Sequence, residues 1–115
     1  MIRKSAEEMA DFMMTALKNY FGDRVDSFRI ENVMNEPARF RCFWIKFKAY
    51  DYFPIILTYD AGSFGCTILM GKYGATLRNS QQWWEKANLD VFLKELKEEI
   101  ELRIPDKFLK AKGWL

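Results

Sequence analysis

The segment from Phe43 to Lys48 carries the side chains with the clearest chemical potential in this 115-residue chain. In an extended strand, Trp44, Lys46 and Lys48 would share one face and only apolar side chains would occupy the other. An indole beside ammonium groups can anchor a protein partner, stack on a nucleobase or neutralise a phosphate. The segment therefore predicts a binding surface.

Residues that commonly support catalysis are absent or badly spaced. The chain has no histidine, which excludes Ser-His-Asp and Cys-His nucleophile activation and the common histidine metal sites. Cys42 and Cys66 lie within apolar strand patterns, where a free cysteine is expected to behave as a small hydrophobe. Asp51 and Asp60 would stand at opposite ends of one strand, too far apart for a paired acid and base. We expect no catalytic residue, cofactor or metal.

Two motifs come near to nucleic-acid and phosphate sites without meeting their requirements. The segment from Arg41 to Phe47 resembles the aromatic strand of RNA-recognition domains, but Cys42 and Trp44 stand where that motif needs small residues. The segment from Gly71 to Gly74 lacks the earlier glycine and the hydroxyl of a phosphate-binding loop, and it is typical of a turn. Nucleic-acid binding is therefore an alternative to protein binding.

Composition limits the architecture and the partner. The formal net charge is +2, from 18 basic and 16 acidic residues, which is too even for general attraction to nucleic acid or anionic lipid. Half of the positions are apolar, so we expect residues 1–115 to form a single globular domain. No apolar stretch approaches the roughly 20 residues that span a bilayer, and the first residues lack a signal-peptide core. We expect a cytoplasmic protein without membrane contact.

The first element is predicted to be a helix from about Ala6 to Phe21. Ser5 and Glu8 have the spacing of a capping box, and Gly22 supplies a left-handed stop. The apolar stripe predicted to face the core consists of Met9, Phe12, Met13, Ala16, Leu17 and Tyr20.

Four antiparallel strands should follow the helix. The first contains Phe28 and Ile30, and the others run from about Arg39 to Ala49, Phe53 to Tyr59 and Phe64 to Lys72. The connections are predicted at Asn35–Ala38, Tyr50–Tyr52 and Asp60–Ser63.

The alternation of side chains assigns each strand residue to a face. The predicted core face contains Phe43, Ile45, Phe47, Ala49, Phe53, Ile55, Leu57, Tyr59, Phe64, Cys66, Ile68 and Met70. In the first strand, Ile30 should lie opposite Phe43 and Phe28 opposite Ile45. Arg29 would then lie opposite Trp44, where a cation-π contact is feasible.

The last third of the chain returns to helix. Asn88 is a plausible N-cap, Pro105 should end the helix, and a short further turn is expected through Phe108 and Leu109. The predicted stripe of the main helix is Leu89, Phe92, Leu93, Leu96, Ile100 and Arg103. The order α-β-β-β-β-α predicts an α+β two-layer sandwich, with a four-stranded antiparallel meander and both helices on one face.

The sheet face away from the helices is the predicted partner-binding surface. Its predicted members are Arg29, Phe40, Trp44, Lys46, Lys48, Ile56 and Leu69. They would form an apolar group rimmed by cations, with Val33 and Phe40 paired at one end. A competing interpretation is that Trp83, Trp84 or Trp114 folds over this face and forms a second small core.

These patterns favour a non-enzymatic domain that binds another protein, or a second copy of itself, through that face. Small inhibitors and immunity-type proteins of bacteria and their mobile elements are of this kind, although a fold does not decide a function. Nucleic-acid binding through the basic and aromatic strand is the first alternative. The second alternative is a small enzyme that uses a lone Tyr, Lys, Cys or carboxylate, or an accessory subunit of an enzyme.

Overall fold

The computed structural model describes residues 4–37 and 40–115, which fold into helices packed on an antiparallel sheet. The elements are α1 (Ala6–Phe21), β1 (Val25–Met34), β2 (Cys42–Ala49), β3 (Phe53–Asp60), β4 (Ser63–Met70), β5 (Tyr73–Thr76), α2 (Leu89–Leu102) and α3 (Asp106–Ala111). The five strands lie in sequence order, each antiparallel to the next. The predicted α+β class and meander are confirmed, whereas the predicted number of four strands is wrong.

The additional strand is β5. The predicted fourth strand continued to Lys72, but β4 ends at Met70, and Gly71 and Lys72 form a two-residue turn. Gly71 has φ +60°, a conformation that glycine adopts at little cost. The chain then runs back along β4 for only four residues. Such a short strand, with a glycine in it, gives no usable periodic signal in the sequence.

α1 has the predicted bounds. The Ser5 hydroxyl accepts a hydrogen bond from the Glu8 N–H at 3.2 Å and donates one to the Glu8 carboxylate at 3.0 Å. At the other end, Gly22 donates its N–H to the Lys18 carbonyl. Both ends of the helix therefore follow from side chains that the sequence displays.

The orientation of α1 differs from the prediction. The residues that α1 buries are Ala6, Met9, Ala10, Met13, Leu17 and Phe21. Phe12 and Tyr20, which were predicted to face the core, are 38% and 39% exposed. The helix is apolar over a wider arc than the sheet covers, so part of that arc lies at the surface.

The central strands pair in the predicted register. Ala49 lies opposite Phe53, and Tyr59 lies opposite Phe64. The buried side chains of these strands are Phe43, Ile45, Phe47, Ala49, Ile55, Leu57, Tyr59, Phe64, Cys66 and Ile68. The exceptions to the predicted core face are Phe53, which is half-buried, and Met70, which is exposed. The assignment of side chains to the two faces of β2 is thus confirmed.

The predicted register of β1 is wrong by two residues. Ile30 lies opposite Ile45, and Arg29 lies opposite Lys46. β1 contains one extra residue between Asp26 and Arg29 and another between Glu31 and Met34, which are β-bulges. Ser27 and Asn32, at these two places, have φ of +58° and +53°. Phe28 still faces the core, where its ring stacks on Phe47 with a centroid distance of 5.1 Å.

The connection from β1 to β2 also departs from the prediction. β2 begins at Cys42, opposite Met34, so the predicted pairing of Val33 with Phe40 does not form. Phe40 lies before the strand, where its N–H donates to the Pro37 carbonyl at 2.9 Å. The predicted strand start at Arg39 and the turn residue Ala38 lie outside the described residues.

The C-terminal helices pack on the same sheet face as α1. Asn88 caps α2 by accepting from the Val91 N–H at 3.2 Å. Arg103 follows α2 and donates to the Glu99 carbonyl, so it is not part of the buried stripe. The predicted short helix after Pro105 is confirmed as α3.

One hydrophobic cluster joins the helices to the inner sheet face. Trp84 is fully buried within it, with ring centroids 6.0 Å from Phe43, 5.5 Å from Tyr59 and 5.3 Å from Phe64. Among residues 4–37 and 40–115, no helix combines the length and apolar character needed to cross a membrane.

The loop between β2 and β3 ties the sheet to the C-terminal helices. The Tyr50 hydroxyl donates to the Glu101 carboxylate of α2 at 2.5 Å, and Lys112 lies 3.1 Å from the Asp51 carboxylate. The Tyr50 ring also meets Trp114 edge-on at 5.4 Å. These contacts hold Trp114 near this loop and against the core cluster.

Candidate functional site

The sheet face opposite the helices is called the outer face below. Its side chains belong to Arg29, Glu31, Trp44, Lys46, Lys48, Ile56, Thr58, Thr67, Leu69 and Thr76, with Gly65 and Gly74 between them. None of these described residues belongs to the core cluster or packs against it. The outer face is therefore left uncovered by α1, α2 and α3.

The tryptophans of the last third do not form a second core on the outer face. Trp84 is buried against the inner face, and Trp114 packs on Tyr50. Trp83 is 59% exposed, beside its backbone bridge to Ser63. The competing interpretation of the sequence is thus wrong for Trp84 and Trp114. Trp83 lies opposite Ser63, on the outer side of the sheet, but is too exposed to form a second core there.

Trp44 is the largest side chain on the outer face. The Lys46 ammonium lies 5.8 Å from the centroid of its ring, within the range of a cation-π contact. The sequence assigned this role to Arg29, but the bulges of β1 place Glu31, not Arg29, opposite Trp44. At a partly exposed site such a contact is worth about 0.5 to 1 kcal/mol and restrains the ring.

The cations of the outer face are balanced by carboxylates. The surface predicted from the sequence did not include these carboxylates. The Glu31 carboxylate lies 3.1 Å from the Lys46 ammonium and 3.8 Å from the Arg29 guanidinium. Lys48 lies 3.7 Å from Asp51. Each predicted cation therefore has an acidic neighbour, and the outer face offers a mixed-charge rim, which attracts a phosphate backbone less than a purely basic one would.

The structure places most of the predicted binding residues on the outer face, spread diagonally across it. Trp44, Ile56 and Leu69 lie on three successive strands and are all half-buried. Gly65, on the outer face opposite Thr58, leaves open space where a Cβ would stand. Trp44, Thr58 and Gly65 lie in one row across β2, β3 and β4, so this open space is two strands from Trp44.

Phe40 and Lys48 lie at the margins of this group. Phe40 is 54% exposed and precedes β2, so no strand places it beside Trp44. Lys48 is near the end of β2 and is drawn to Asp51 in the following loop.

A groove between α1 and the first turns of α2 is a second candidate surface, which the sequence did not predict. Its volume is about 1040 Å³. Apolar side chains that line it come from Met9, Phe12, Ala16, Tyr20, Leu89 and Leu93. Polar side chains that line it come from Lys4, Glu8, Asp11, Thr15, Asn19, Asp90 and Lys94. The signal that could have revealed it is the excess width of the apolar arc on α1.

Groups with a shifted pKa lie away from this groove. Burial, with the hydrogen bond to Glu101, raises the pKa of Tyr50, and burial raises the pKa of the Cys66 thiol. The hydrogen bond and charge of Lys112 lower the pKa of Asp51, and hydrogen bonds from Ser80 lower that of Glu95. Within the described part of the chain, none of the four lines the groove. Each shift follows from a contact that holds structural elements together or from burial in the core.

The described residues also contain no group of three or more Cys, Asp or Glu side chains placed to hold a metal ion. Comparisons of the chain with protein-family models, with curated proteins and with solved structures find no significant match. The two surfaces themselves, the outer face and the groove, are therefore the basis for any functional argument.

Proposed function

We propose that this chain is a non-enzymatic domain that binds another protein through its outer face, with Trp44 as the anchor. The observation that carries the proposal is that Trp44 stands on the sheet face that no described helix covers, diagonal to Ile56 on the neighbouring strand. Interfaces commonly concentrate their binding energy in a few central aromatic residues surrounded by weaker contacts. Trp44 is the aromatic side chain of the outer face that would act in this way.

The neighbours of Trp44 suggest what a partner must offer. The apolar surface of Trp44, Ile56 and Leu69 needs an apolar patch opposite it. The ion pairs of Glu31 with Lys46 and Arg29 supply donors and acceptors of both signs at the edge. Charges at an interface edge contribute mainly to specificity and association rate.

An inhibitor or immunity-type role in the cytoplasm is the specific form of this proposal. A small domain with one uncovered sheet face can act by occupying a surface of its target, without chemistry of its own. Cys42 and Cys66 are both free thiols, which suits a reducing compartment.

The test compares two aromatic variants, Trp44→Ala on the outer face and Tyr52→Ala on the helix side, in capture from the native host. Trp44→Ala should reduce recovery of the specific partner about tenfold or more, because an anchor residue contributes at least 1.4 kcal/mol. Tyr52→Ala is the matched control, since Tyr52 is an exposed aromatic residue whose ring packs on Phe108 of α3, on the helix side of the sheet. Circular dichroism of both variants verifies the fold. Equal recovery by folded Trp44→Ala and Tyr52→Ala would refute the proposal.

Two alternative occupants of the outer face give different results. A homodimer through this face is an isologous contact, which light scattering would detect as a doubled mass that Trp44→Ala restores to monomer. Nucleic-acid binding would show affinity that falls steeply with added salt. The pairing of Lys46 and Lys48 with carboxylates favours a protein partner over nucleic acid.

A further inference from the structure

The residues of α1 that line the groove include one row along a single face of the helix. Glu8, Phe12, Ala16 and Tyr20 are spaced by four residues and all line the groove. At a rise of about 1.5 Å per residue, this row is about 18 Å long. On the opposite wall, Leu89 and Leu93 of α2 are also spaced by four. The groove is thus elongated along α1, and both of its helices contribute apolar side chains to it.

Two aromatic side chains in the groove are held in place before any partner arrives. The Phe12 ring meets the buried Trp84 edge-on at 6.3 Å, and the Tyr20 ring lies 5.0 Å from that of Phe21. Both nevertheless keep more than a third of their surface exposed. Pre-ordered aromatic side chains reduce the entropy that a partner must overcome on binding.

The groove lining carries three carboxylates and two ammonium groups, which is a small acidic excess. Lys4 and Glu8 pair with each other at 3.8 Å. Asp11 on α1 and Asp90 on α2 make no ion pair with any other described residue, and neither does Lys94. A cation seated between Asp11 and Asp90 would therefore meet a carboxylate on each wall, with Lys94 one helical turn beyond Asp90.

We infer that this groove binds an amphipathic helix of a partner protein, which presents an apolar stripe to Phe12, Ala16 and Tyr20 and a lysine or arginine to Asp11 and Asp90. Helix-in-groove recognition reads anchors spaced at three and four residues, which is the spacing on the groove walls. An extended strand alternates with period two and would not match it. The site is separate from the outer face and does not depend on the function proposed for that face.

The test uses two synthetic helical peptides of about 16 residues with the same leucine stripe, one with flanking lysines and one with glutamates in their place. Calorimetric titration of the full chain should show binding of the lysine peptide about tenfold or more tighter than binding of the glutamate peptide. In the double variant Asp11→Lys and Asp90→Lys, this preference should reverse. Equal affinity for both peptides, or no binding of the lysine peptide, would overturn the inference.

Three variants locate the binding. Phe12→Ala should weaken binding of the lysine peptide about tenfold, since it removes a central anchor. Val91→Ala should leave the affinity unchanged, because Val91 is 38% exposed like Phe12 but lies outside the groove lining. Trp44→Ala should also leave it unchanged. If instead Trp44→Ala abolishes binding or Phe12→Ala preserves it, the peptide is not in the groove and the inference is wrong.

A second copy of the chain is the other possible occupant. Light scattering should show no mass change between the wild-type chain and Phe12→Ala. A wild-type dimer that Phe12→Ala dissociates would assign the groove to self-association and contradict the inference.

Discussion

The two faces of β2 are built from alternate residues of one eight-residue strand, yet their surroundings differ sharply. Phe43 and Ile45 are fully buried under the helices, among rings that meet at 5 to 6 Å. Trp44 and Lys46 face away from the helices and contact each other and Glu31. Adjacent residues on the same backbone therefore contribute to different properties of the molecule.

This contrast separates stability from recognition. A side chain of the inner face is fixed by close packing, so a change there alters the free energy of unfolding. A side chain of the outer face has one open side, so a change there costs less stability and mainly alters what the protein can contact. Substitutions at neighbouring positions can test the separation directly.

The largest expected effect comes from truncating the inner face. Phe43→Ala should lower the free energy of unfolding by about 3 to 5 kcal/mol, because it leaves a cavity among Tyr59, Trp84 and the helices. Trp44→Ala should lower it by only about 1 kcal/mol, since its side chain is half-buried. Urea denaturation measures both values. Similar losses for the two variants would remove the distinction between the faces.

A polar atom on the inner face provides the next test. The Tyr59 hydroxyl is buried and has no hydrogen-bond partner among the described residues. Such a group costs roughly 1 to 3 kcal/mol, so Tyr59→Phe should raise the free energy of unfolding by about 1 kcal/mol. A clear loss of stability in denaturant titration would show that the hydroxyl makes a stabilising contact.

The burial of Phe43 and Tyr59, the two inner-face residues above, follows from the sequence. From β2 through β4, apolar residues alternate without interruption, and the turns at Tyr50–Tyr52 and Asp60–Ser63 keep the faces in phase, so burial of Phe43 and Tyr59 could be predicted. In β1 the same reasoning gave the wrong register with β2. Ser27 and Asn32 adopt left-handed conformations, and nothing in the local sequence required a bulge at either place.

The groove could not be predicted for a different reason. A helical pattern shows that one side of α1 is apolar, but it does not show how much of that side the sheet and α2 will cover. Phe12 and Tyr20 fit the buried stripe as well as Met13 and Leu17 do. Only the tertiary arrangement decides which of them stay accessible.

A smaller effect is expected from the ion pairs of the outer face. Glu31→Gln removes the carboxylate shared by Lys46 and Arg29. Pairs this exposed contribute about 0.2 to 1 kcal/mol, so stability should change little, and less still at high salt. A loss well above this range, unaffected by salt, would show that the outer face also has a structural role.

The smallest effect concerns Asp51, which links Lys48 at the outer face to Lys112 beyond α3. Its folded-state pKa is lowered from 3.8, mainly by the hydrogen bond and charge of Lys112. The stability that this carboxylate contributes is therefore present above pH 3.8 and is lost as the pH falls through the folded-state value. As the pH falls from neutral to acidic, the free energy of unfolding of the Asp51→Asn variant should decrease slightly less than that of the wild type. An identical acid profile would mean that the link is too exposed to matter.

Hydroxyl-radical footprinting of the captured complex tests the central claim most directly. If the outer face is where the partner docks, side-chain oxidation of Trp44 should fall several-fold in the complex, while that of Tyr52, which packs on α3, stays as in the free protein. Unchanged oxidation of Trp44 in a complex shown to be intact would contradict the claim that the partner binds the outer face.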